Sequence, residues 1–145
     1  MASNWGMSPR QSVAAECERR GRASVVAGCI DLLDGRGADD TLIVALGGPA
    51  AEYVLAGREG GRVGYWPRVW AARGLLYAWS VDAEPAIIRA TTDEAWRVRE
   101  MAAKVIARHR VGVALTEVAA LKADQVPRVR SAAARAVMIL SAARA

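Results

Sequence analysis

A chain of 145 residues, 53% hydrophobic and 24% charged, can bury one sizeable core, which excludes a disordered polyelectrolyte. The formal charge of +5 is unevenly placed: residues 95–145 hold 10 of the 20 basic side chains and 3 of the 15 acidic ones, so the C-terminal third invites an acidic partner. No stretch approaches an uncharged apolar membrane span, no basic segment followed by an apolar run opens the chain, and Cys17, Cys29 and the single His109 lack zinc-ligand spacing; no membrane, no metal, no cofactor and a cytoplasmic location with two buried free thiols are therefore expected.

In chain order, residues 1–8 read as a loose tail and 9–145 as one domain. "PRQSVAAECERRG" (9–21) reads as a helix with Pro9 in its first turn and Gly21 as its stop. "RASVVAGCIDLLDG" (22–35) carries Val25, Val26, Cys29, Ile30, Leu32 and Leu33 at helical spacing. "ADDTLIVALGG" (38–48) and "PAAEYVLAG" (49–57) read as short helices split at Gly47-Gly48. These make 9–57 an irregular N-terminal cap. "REGGRVGY" (58–65) has three glycines in eight residues and is read, as a flexible loop over 58–66, as the internal boundary.

From Pro67 the pattern repeats. "PRVWAARGLLYAW" (67–79), "WRVREMAAKVIARH" (96–109) and "PRVRSAAARAVMIL" (127–140) align on Val69, Val98 and Val129, with shorter apolar helices at 83–92 and 111–123 between them. Val98, Met101, Ala102, Val105 and Ile106 follow the i, i+3, i+4, i+7, i+8 rule, as do Val129, Ala132, Ala133, Ala136 and Val137. One such helix pair cannot cover its own apolar stripe. Stacking the pairs covers it, and the many Ala residues let the helices approach. The expected fold is all-α: a right-handed α-solenoid of four to five stacked antiparallel helix pairs, capped at its C-terminal end by 127–142.

The motif of an Asp, then Val-Arg, then Ala and Leu positions along a helix resembles short HEAT-like repeats of the phycocyanobilin-lyase type, and "GGRVGYWPRVWAARGLLYAW" is similar to segments of small bacterial HEAT-repeat proteins of unassigned function. The resemblance covers 67–145. It implies that Asp93, Arg99, Asp124 and Arg130 form a structural ladder of ion pairs between adjacent repeats. The first aligned segment departs from the motif: Gly64 and Trp70 stand in the Asp and Arg places, and Arg73 stands where Ala102 and Ala133 stand in the other copies. A differently packed helix is expected there.

Two groups of residues are candidates for binding. Tyr65, Trp66, Trp70, Tyr77 and Trp79 crowd into fifteen residues, and Trp96 opens the next segment. Trp66 and Trp70, four apart, share a helix face, with Arg73 in reach of Trp70. They are either core filling or an exposed platform. Arg97, Lys104 and Arg108 run along one helix face; Arg128 and Arg135 take the matching places one repeat later, and Arg68 one repeat earlier. Such a row is either a solvated face or a surface for phosphates and carboxylates.

Catalytic signals are poor. His109 lies on an apolar face near a helix end, and "GREGGRVG" lacks the Lys-Ser/Thr of a phosphate loop. Trp96 and Glu100, four apart and near Asp93, are all that resembles the HEAT-like alkylpurine DNA glycosylases. The leading expectation is a non-enzymatic scaffold or adaptor for a protein partner, an acidic one included. The alternative is nucleic-acid binding through the basic stripe, with the glycosylase reading a minor third.

Overall fold

The computed structural model describes residues 6–142, whose regular elements are all helical, with no strand among them. Residues 1–5 of the expected tail lie outside the described residues. Contacts divide the chain into two compact units, Met1–Ala83 and Glu84–Ala145. The division expected at 58–66 thus falls inside the first unit, where Arg58–Val63 forms a kinked turn packed on its neighbouring helices.

The first unit contains α1 (Pro9–Arg20), α2 (Arg22–Leu33), α3 (Asp40–Gly47), α4 (Ala51–Leu55) and α5 (Tyr65–Gly74). Helix α1 starts in a capping box: the Ser8 hydroxyl accepts from the Gln11 amide and the Gln11 side chain accepts from the Ser8 amide. Asp39 caps α3 through the Leu42 amide at 2.9 Å and takes a two-pronged hydrogen bond from Arg20 at 2.8 and 2.9 Å. That guanidinium also holds the Asp39 carboxyl far below the usual carboxylate range. Ser12 Oγ ties α1 to α3 by donating to the Ala45 carbonyl at 2.6 Å. The core between these helices is built from Val13, Val25, Val26, Cys29, Leu42, Ile43, Leu46 and Trp70. Cys29 is fully buried, and burial pushes its thiol up to about 12. Cys17 departs from expectation in being only half-buried.

Helix α5 begins two residues earlier than its apolar pattern indicates and stops at Gly74, so residues 75–79 leave the expected helix. A missing side chain explains much of its packing. The Trp70 ring sits directly over Gly47, where an added Cβ would stand 2.5 Å from Trp70 Cε3. Arg73, in reach of Trp70 by sequence, donates to the Leu46 carbonyl at 2.6 Å. Burial lowers its proton affinity.

The second unit contains α6 (Glu84–Ala90), α7 (Trp96–His109), α8 (Leu115–Ala120) and α9 (Pro127–Ala142). The helix expected at 111–123 is broken into α8 flanked by 3-10 turns at Gly112–Ala114 and Leu121–Ala123. Helix α7 packs most extensively on α9. Both bury the same side of the repeated pattern: Val98, Ala102 and Val105 on α7, and Val129, Ala133 and Ala136 on α9, are fully enclosed.

Gly47→Ala tests the close approach in the first unit. Helix propensity alone favours Ala by about 0.5–1 kcal/mol. The clash with a ring that is 4% exposed has nowhere to relax and costs about 1–3 kcal/mol. A lower urea midpoint is expected; an unchanged midpoint would show that Trp70 can move aside.

Candidate functional site

The turns before α7 and α9 are built alike. Asp93 Oδ1 accepts from the Ala95 amide at 2.8 Å, and Arg99 Nη1 reaches back to the carbonyls of Asp93 and Glu94 at 2.9 and 3.1 Å. Thirty-one residues on, Asp124 Oδ1 accepts from the Val126 amide at 2.9 Å, and Arg130 Nη1 reaches back to the carbonyls of Asp124 and Gln125 at 2.7 and 3.2 Å. One link joins the two: Arg99 Nε and Nη2 donate to Asp124 Oδ2 and Oδ1 at 2.8 and 3.1 Å. This is a planar fork on a carboxylate, well shielded from water.

That frame sets the register of the basic residues on α7 and α9. Glu100, buried on α7, is their anchor: its Oε1 accepts from Lys104 Nζ at 2.9 Å and from Arg128 Nη2 at 3.0 Å. The Trp96 ring is faced by two guanidiniums, Arg97 at 4.4 Å and Arg128 at 5.6 Å. Lys104 and Arg128 are therefore brought together on one carboxylate, and Arg128 and Arg97 on one indole. Arg108, one turn beyond Lys104, and Arg135, two turns beyond Arg128, are exposed and have no ion pair among the described residues. The Trp96 and Glu100 side chains that resemble a glycosylase pair are both engaged with these cations.

Arg68 belongs to α5 in the first unit, half-buried, with Nη1 donating to the Gly64 carbonyl at 3.3 Å. There the aromatic residues split by role. Trp70 is core; Tyr65 and Trp66 are half-buried, with ring centroids 5.0 Å apart, and Trp66 stacks on Trp70 at 6.3 Å and 27°. Tyr77 is half-buried under the Arg10 guanidinium at 5.3 Å. A half-open cavity of about 420 Å³ is lined by Ala50, Tyr53, Val54, Arg58, Glu59, Trp66 and Trp70. Tyr53, Arg58 and Glu59 were not legible as neighbours of the Trp pair, because only the glycine turn that separates them in sequence brings them round. His109, at the end of α7, is half-buried. No group of three His, Cys, Asp or Glu side chains among the described residues could hold a metal ion.

Comparisons with protein-family models, with curated proteins and with solved structures returned no match.

The Arg99 guanidinium holds the Asp124 carboxyl below the usual range, helped by the Val126 amide and opposed by burial. An Asp lowered in the folded state stabilises above its unfolded value of about 3.9 and loses that contribution as pH falls through the folded value. The thermal midpoint is expected to drop below about pH 4. Asp124→Asn should lose about 1–3 kcal/mol at neutral pH and show a shallower acid limb. An acid limb identical to that of the parent would assign it to other groups.

Proposed function

We propose that the chain is a non-enzymatic helical binding module in which α7 and α9, as two HEAT-like repeats of a right-handed stack, present a face to an acidic segment of a protein partner. The observation that carries this reading is the treatment of Glu100. One carboxylate already sits on that face, shared between Lys104 and Arg128, while Arg108 and Arg135 stand exposed with no ion pair among the described residues. Carboxylates of an acidic segment would extend the same pattern along the two helices. Arginine forks suit carboxylate geometry, and rim cations of this kind govern association rate and its salt dependence more than raw affinity.

A second reading, phosphates of a nucleic acid as the anions, is supported by the seven-residue spacing of cations on both helices, Arg97 to Lys104 and Arg128 to Arg135. One titration series tests both. Labelled polyglutamate and a labelled random-sequence DNA duplex are each titrated with the protein across salt concentrations. Binding of polyglutamate, weakened at least tenfold by Arg108→Glu with Arg135→Glu, is expected. Glu100→Gln should tighten it, at a stability cost of under about 1 kcal/mol because its cationic partners are exposed. A duplex affinity far above that for polyglutamate, with a slope reporting several phosphate contacts, would replace the acidic-protein reading with the nucleic-acid one. No binding of either would leave the charges as a solvated face and overturn both.

A further inference from the structure

The half-open cavity of the first unit has the composition of a small-molecule site. Its volume of about 420 Å³ lies in the ordinary range for such sites, and its walls are the aromatic and aliphatic side chains of Tyr53, Val54, Trp66 and Trp70. Three features set it apart from a packing defect. Tyr53 remains 58% exposed while its ring lines the cavity. Arg58 and Glu59, consecutive in sequence and opposite in charge, both line the cavity, yet neither takes part in an ion pair among the described residues. Arg58 is held over the Tyr53 ring at 5.8 Å.

The third feature is the backbone that puts them there. Glu59 adopts a left-handed conformation (φ 55°, ψ 36°) between Gly57 and the pair Gly60-Gly61, all three at positive φ. That conformation costs a non-glycine residue free energy and collects at functional sites. The turn is clamped from the α5 side, because a Cβ on Gly64 would stand 2.5 Å from the Glu59 carbonyl oxygen. A glutamate is thus held in glycine-like backbone geometry at the edge of an aromatic cavity.

We infer that this cavity binds a free aromatic amino acid. The aromatic walls take the ring by stacking. Arg58 takes the α-carboxylate and Glu59 the α-ammonium. A ligand with one charge would meet a like charge beside its partner at the rim, whereas a zwitterion satisfies both. A terminal residue of a peptide carries only one of the two charges, which separates it from the free amino acid.

Isothermal titration calorimetry of the full chain with L-phenylalanine, N-acetyl-L-phenylalanine and L-phenylalaninamide is the test. Phenylalanine is expected to bind, with each blocked derivative about three- to tenfold weaker. Arg58→Gln should erase the advantage over the amide, and Glu59→Gln the advantage over the acetylated form. Both side chains are exposed, so neither change threatens the fold. Ala50→Trp, at an exposed position lining the cavity, should fill it and abolish binding with the thermal midpoint unchanged. Absence of binding by phenylalanine, equal binding of all three compounds, or full binding by Ala50→Trp would each overturn the assignment. The acidic-partner reading is independent, since it rests on α7 and α9.

Discussion

The second unit depends on one shielded contact, the fork from Arg99 to Asp124. Each partner does two jobs. Arg99 uses Nη1 to close its own turn onto the Asp93 and Glu94 carbonyls, and uses Nε and Nη2 to grip the next copy. Asp124 receives that grip while capping the Val126 amide. The local turn and the long-range link therefore share the same two side chains, and this couples the start of α7 to the start of α9. In the register that results, α7 packs on α9 with Val98, Ala102 and Val105 fully enclosed, and Arg128 lies beside Glu100 and Trp96. Core and charged face are two outcomes of one alignment.

The first unit solves the same packing problem by subtraction. Where the repeated motif has Asp and Arg, this segment has Gly64 and Trp70. Gly64 makes room for a carbonyl, and Trp70 fills the space left open at Gly47. A polar grip is exchanged for an apolar plug, at positions where any added side chain collides. Trp66, stacked on that plug, lines the cavity.

How much of this was legible in the sequence follows the range of the signals. The helical class, most helix positions and the buried side of α7 and α9 follow from apolar spacing, which is a local property. The likeness of the turns at Asp93 and Asp124 was legible because both are written with the same residues at the same offsets. The break of residues 111–123 into three short pieces was not, since tertiary packing decides it. The glycine-rich stretch misled for a physical reason. Positive φ at Gly57, Gly60 and Gly61 makes a specific turn, and glycine content alone does not distinguish such a turn from a slack one. The shared carboxylate of Glu100 was equally hidden, since its partner Arg128 lies 28 residues away.

Arg130 repeats the position of Arg99 and closes its own turn in the same way, yet only its Nη1 is engaged among the described residues. Its Nε and Nη2, which in Arg99 hold the following aspartate, have no hydrogen bond among the described residues, and the side chain is exposed. The link between the two turns is directional, with the donor on the first and the acceptor on the second. An aspartate grafted 31 residues beyond Asp124 would find at Arg130 the same guanidinium nitrogens with which Arg99 holds Asp124.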